Sequence, residues 1–170
     1  MSETLSASLP NALEVRVMTV LQRLCDRNLT LAAAESCTGG LIASVMTDVE
    51  GCSHAFERGF VTYTEAAKTQ LLGVPAELIA ARTAVSREVA KAMAAGALGA
   101  SQADVAVSVT GYAGPGGDGA EEGLVYLALA DRRARLTAVE RHFGPLGRGG
   151  VRLRALDAAV GLLETWLDEA

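Results

Sequence analysis

Glu35, Ser36, Cys37 and Thr38 stand side by side in AAAESCTGGLIAS, residues 32–44, and run straight into Gly39 and Gly40. Three chemistries fit such a bend. A Ser or Thr before a helix caps it, glycine-freed amides at a helix start hold an anion, and a hydroxyl or thiol with a nearby base attacks a carbonyl. Ordinary roles compete with these: Ser36 or Thr38 as the cap, Cys37 as a small buried residue. A second stretch, TGYAGPGGDGAEEG at residues 110–123, reads as a loop rich in glycine.

A serine nucleophile needs a base. His54 lies in a loop-like stretch and His142 at a strand end, and neither carries a sequence pattern of carboxylates to orient it. Lysine is the known substitute, provided burial or cations lower its pKa. Of fifteen basic residues thirteen are arginine, so Lys68 and Lys91 are the two side chains of that set able to lose a proton. Lys68 lies five residues beyond Tyr63. A solvated helix lysine and a half-buried strand-end tyrosine are the plain alternatives, and spacing does not choose between them.

The elements that would carry these groups follow from hydrophobic period. Leu13, Val17, Val20, Leu21 and Leu24 predict a helix from Asn11 to about Arg27. A buried strand over 29–34, a helix over 38–48 with both glycines in its first turn, a strand over 56–62 and a short helix over 65–72 follow. Gly73-Val74-Pro75 reads as a stop and a restart. Helix 86–98, strand 105–109, a hairpin of strands 124–130 and 136–142, and a closing helix from about Gly150 complete the chain. Alternating helices and strands followed by a hairpin predict a single α/β domain over 1–170, with a mixed, mostly parallel sheet covered on both faces. Both glycine-rich loops then fall at the carboxyl edge of the sheet, where such folds bind ligands.

Composition narrows the classes. The net charge is −5 with no basic block, which argues against a nucleic-acid surface. No apolar run of membrane-spanning length occurs, and MSETLSASLP lacks the basic and apolar regions of a signal peptide. Three cysteines, Cys25, Cys37 and Cys52, without metal-ligand spacing fit a reduced, cytoplasmic, metal-free protein. Homo-oligomerisation, as a dimer or larger, is expected of a small α/β enzyme.

AESCTGGLIASVMTDVEGCSHAFERGFVTYTEAAKTQLLGV, TAVSREVAKAMAAGAL and VSVTGYAGPGG together resemble the CinA C-terminal domain family, whose stand-alone members include nicotinamide mononucleotide deamidases of the PncC type. The likeness runs from about Leu31 to the closing helix. It implies a three-layer α/β/α sandwich and an amidohydrolase that converts nicotinamide mononucleotide to nicotinic acid mononucleotide and ammonia with no cofactor. It places the nucleophile on Ser36, its lysine partner on Lys68 and the active-site tyrosine on Tyr63. The same resemblance assigns substrate binding to Glu35, Cys37, Thr38, Gly39 and Gly40 in the first loop. In the second it assigns Thr110, Gly111, Ala113 and Gly114, and it puts the phosphate partner on Arg148.

Two departures fall in the nucleotide-holding half. AEEGLVY, residues 120–126, is shorter than the family's proline-containing step, and LGR, residues 146–148, lacks the family's aspartate before the arginine. Hydrolytic chemistry is thus better supported than the substrate. The rival expectations are a non-catalytic nucleotide-binding module of the competence or damage response, and an amidase for another pyridine or nucleotide amide.

Overall fold

The computed structural model describes residues 9–117 and 119–169, so the signal-peptide reading of the first residues lies largely outside it. Eleven elements follow in chain order: α1 (Asn11–Asp26), β1 (Leu31–Glu35), α2 (Leu41–Val45), β2 (Phe56–Val61), α3 (Glu65–Leu72), α4 (Ala76–Arg82), α5 (Arg87–Gly99), β3 (Val105–Gly111), β4 (Leu124–Asp131), β5 (Leu136–His142) and α6 (Gly147–Glu169).

One five-stranded sheet has the order β2-β1-β3-β4-β5. β1 is parallel to both β2 and β3, β4 is antiparallel to β3, and β5 is antiparallel to β4. Four strands therefore point one way and β4 alone reverses, which is the mixed, mostly parallel sheet expected. Strand alternation sorts the side chains. Leu31, Ala33, Val105, Val107, Val109, Leu127 and Leu129 face the layer of α1, α2 and α6 in the larger core. Ala32, Ala34 and Ala106 face the layer of α3, α4 and α5 with Leu72, Ile79, Val89 and Met93. The small side chains on that second face let helices approach closely. A Cβ placed on Gly96 of α5 would lie 1.9 Å from the Leu72 carbonyl oxygen at the end of α3, so only glycine fits there.

Three boundaries differ from expectation. The first loop is not the opening turn of a helix: Gly39 and Gly40 take φ of +61° and +98°, and α2 runs only from Leu41 to Val45, short of the expected end at Asp48. Left-handed backbone is open to glycine but breaks a right-handed helix. β3 continues through Thr110 and Gly111 because β4 pairs with both, Thr110 with Tyr126 and Gly111 with Val125, so the second loop begins later than its glycine content implied. The closing helix starts at Gly147 and takes Arg148 into its first turn.

Candidate active site

β1, β2 and β3 deliver Ser36, Thr62 and Thr110 to one edge of the sheet, at the carboxyl ends of three parallel strands. Alternation then separates neighbours in the ESCT stretch. Glu35 points to the α2 face and Ser36 to the α3–α5 face. Glu35 is fully buried, and its carboxylate accepts the backbone N–H groups of Gly40 (3.0 Å), Ile42 (3.1 Å) and Ala43 (2.7 Å). The cap of α2 is thus a carboxylate from the preceding strand, reaching past the glycine bend to the orphan amides of the helix start. Neither Ser36 nor Thr38 caps the helix through its side chain, and the hydroxyl of Ser36 is left for other work.

That hydroxyl meets Lys68. The α3 helix is capped by Thr64, whose hydroxyl accepts the Ala67 N–H, and it ends at Gly73 in the left-handed conformation. Lys68 and Leu72, four residues apart, share its buried face. Lys68 is 1 % exposed, and its Nζ lies 3.0 Å from Ser36 Oγ and 2.8 Å from the Thr62 carbonyl oxygen. Burial lowers its pKa from the ordinary 10.5, because the charged form loses water. Cys37 and Glu65 act in the opposite direction with smaller weight. The Cys37 opposition requires a thiolate, yet burial pushes that thiol up to about 12, so it is neutral at physiological pH. Among the described residues no carboxylate forms a salt bridge with Lys68.

The backbone of the first loop divides its donors. Ser36 N–H donates to the Val109 carbonyl at 3.0 Å, Gly39 N–H to the Ser36 carbonyl at 3.1 Å, and Leu41 N–H to the Thr38 carbonyl at 3.2 Å. With Gly40 held by Glu35, the Thr38 N–H has no acceptor among the described residues, and the Cys37 N–H has none beyond its own thiol. The Thr38 hydroxyl is 2 % exposed as a residue and also lacks a hydrogen-bond partner. The Thr38 hydroxyl is thus a buried polar group awaiting a partner beside the unpaired Thr38 N–H, and a buried polar group without a partner is costly.

The remaining predicted residues spread around this centre. Thr110 is buried beside Ser36 on the same sheet face, but its hydroxyl donates to the Ala84 carbonyl at 2.9 Å, tying β3 to the segment before α5. Gly111 is where β4 passes closest: a Cβ would lie 2.7 Å from the Leu124 carbonyl oxygen. Ala113 is buried in the main core. A Cβ on Gly114 would lie 3.2 Å from the Arg148 guanidinium, so the second loop and the start of α6 do meet. Tyr63 is 63 % exposed, and neither Ser36 nor Lys68 hydrogen-bonds to it.

Two features escape the sequence reading. Arg152, one helical turn after Arg148, donates from Nε to the Cys37 carbonyl at 2.9 Å; the spacing of the two arginines on one helix face was the available signal. His142 is oriented by carboxylates after all, with Nδ1 2.7 Å from Glu121 and Nε2 2.9 Å from Glu140. These hydrogen bonds raise its pKa, but it sits on β5, three strands or about 14 Å from β1, and is not the base for Ser36. Among the described residues no three His, Cys, Asp or Glu side chains converge as metal ligands would, and no helix is long and apolar enough to cross a membrane.

Residues 14–167 match the family described as the CinA C-terminal domain. A putative competence-damage inducible protein of Symbiobacterium thermophilum is 47 % identical over 159 residues, covering 85 % of this chain and 36 % of that protein. The chain thus spans about a third of the length of several curated relatives it matches. The nicotinamide-nucleotide amidohydrolase PncC of Enterobacter agglomerans is 48 % identical over 141 residues, covering 82 % of this chain and 84 % of that one. Among solved structures, the competence/damage inducible protein CihA of Agrobacterium tumefaciens superposes with a TM-score of 0.91 at 40 % identity, over 99 % of both chains. With nearly its whole length matched by the family model, this chain belongs to the CinA C-terminal domain family.

Proposed function

We propose that the chain is an amidohydrolase that converts nicotinamide mononucleotide to nicotinic acid mononucleotide and ammonia, with Ser36 as nucleophile and Lys68 as its base. The observation that carries this reading is the buried Lys68 amine 3.0 Å from the Ser36 hydroxyl, with its pKa lowered by desolvation. A neutral amine has two N–H groups and one lone pair. The Thr62 carbonyl takes one N–H, and the lone pair receives the Ser36 proton as Oγ bonds to the carboxamide carbon. The oxyanion that forms meets the N–H groups of Cys37 and Thr38, the kind of preorganised donor pair that supplies a large part of acyl-transfer catalysis. Lys68, now an ammonium, returns the proton to the amide nitrogen; the C–N bond breaks and ammonia leaves. Water, deprotonated by the same amine, attacks the ester, releasing the carboxylate product and restoring Ser36.

Substrate choice falls to the second loop and Arg148. A guanidinium against Gly114 suits a phosphate, and binding at a distance from the reacting bond can be used to raise the rate there. The PncC relative, aligned over most of both chains, supports the same substrate. Several other relatives are named only CinA-like or competence-damage inducible, which keeps a nucleotide-binding module without chemistry as the rival. Purified protein incubated with nicotinamide mononucleotide, nicotinamide riboside and a panel of pyridine amides separates them. The amidase releases ammonia from the mononucleotide in preference to the riboside. Saturable mononucleotide binding without ammonia supports the module, and ammonia from another amide alone reassigns the substrate.

A further inference from the structure

The residues 36–39 form a β-turn closed by the Gly39 N–H on the Ser36 carbonyl. Its central peptide joins the Cys37 carbonyl to the Thr38 N–H, and turn types I and II differ chiefly in which way that peptide faces. The peptide is planar and trans, so the carbonyl and the N–H point in opposite directions and holding one aims the other. The Cys37 N–H belongs to the preceding peptide, whose carbonyl is already fixed by the turn's own closing bond. The central peptide has a single hydrogen bond among the described residues, and it comes from 115 residues away: Arg152 Nε on the Cys37 carbonyl, 2.9 Å. The guanidinium also lies along the bend, with a terminal nitrogen 3.4 Å from where a Gly39 Cβ would be. Two successive left-handed glycines, Gly39 ending the turn and Gly40 after it, lie here, and glycine gives the backbone little stiffness of its own. Among the described residues Arg152 has no salt bridge to a carboxylate that would give it another task.

We propose that Arg152 is a positioning residue for the nucleophile turn, holding the Cys37 carbonyl from α6 and so aiming the Thr38 N–H at the oxyanion. The proposal rests on the amidase reading but has its own readout. Arg152→Met and Arg152→Lys are compared with the wild type by steady-state kinetics on nicotinamide mononucleotide and by hydrogen exchange of the peptide covering residues 36–43. Losing one oxyanion donor outright costs about 10²–10³ in kcat, so a donor left in place but poorly aimed costs Arg152→Met about tenfold to a hundredfold, with KM nearly unchanged. Lysine, a point donor without the planar fork, restores only part of it. Exchange in the 36–43 peptide accelerates while β3 and β4 stay protected. A rise in KM at unchanged kcat, or unaltered exchange in the turn, overturns the proposal and makes Arg152 a substrate ligand or a bystander. Should Arg152→Met not fold, Arg152→Lys and Arg152→Gln bear the same two readouts. A wild-type protein that releases no ammonia removes the amidase reading, while the exchange measurement still decides whether Arg152 holds the turn.

Discussion

Replacing Lys68 with methionine removes the base while nearly preserving the shape of a side chain that is 1 % exposed. The Nζ atom lies 3.0 Å from Ser36 Oγ, within direct proton-transfer reach. A positioned general base contributes about 10²–10⁴ in rate, which is about 3–5 kcal/mol of transition-state stabilisation. Ammonia release by Lys68→Met should fall by that factor, with KM for nicotinamide mononucleotide changed little because the amine does not hold the phosphate. Lys68→Arg should be no better, since a guanidinium keeps its proton and cannot act as a base. Circular dichroism and urea unfolding establish that each variant is folded, and a coupled ammonia assay with chromatography of the acid product gives the rates. Folded Lys68→Met retaining more than about a tenth of wild-type turnover, one tenfold step or about 1.4 kcal/mol, would refute Lys68 as the base.

Cys37→Ala should leave ammonia release largely intact at the cost of about 1–2 kcal/mol of stability from a buried cavity, because a thiol held near 12 is not the nucleophile at neutral pH; an activity loss matching Ser36→Ala would reverse the assignment. Glu35→Gln keeps one oxygen for three backbone donors and turns an NH2 toward one of them, so urea unfolding should show a loss of about 1–3 kcal/mol. The Lys68 pKa is lowered on folding, so between its folded value and 10.5 the unfolded chain binds a proton that the folded chain does not. Stability therefore rises with pH across that window, and below it the full penalty applies. Urea midpoints measured from neutral pH to 10.5 should show this slope in the wild type and a smaller one in Lys68→Met; equal slopes would place the lowered pKa elsewhere.

Where sequence alone succeeded, the signal was local or periodic. α3 has the predicted limits because Gly73 and Pro75 punctuate its end, and Thr64 proves to cap its start. β5 has the predicted limits 136–142, with the polar stretch of residues 131–135 setting it apart from β4. The Ser36–Lys68 pair was named through resemblance, since nothing in the spacing of residues on β1 and α3 dictates a contact across 32 positions. The failures came from partners that sequence does not display. The expected helix over 38–48 lost its first turn because two glycines in left-handed backbone let Glu35 reach the helix start from the strand. Thr110 and Gly111 looked like loop until β4 supplied their pairing. The role of Arg152 depends on α6 meeting the turn at Cys37, and the carboxylates around His142 on β5 meeting Glu121.

The claim on which the rest stands is that Ser36 is acylated by a carboxamide substrate. The most direct measurement is ammonia and nicotinic acid mononucleotide produced from nicotinamide mononucleotide by the wild type and by folded Ser36→Ala under identical conditions. The account predicts equimolar release of both products by the wild type and none above background from the variant. Undiminished turnover by Ser36→Ala, or binding without release by the wild type, would contradict it.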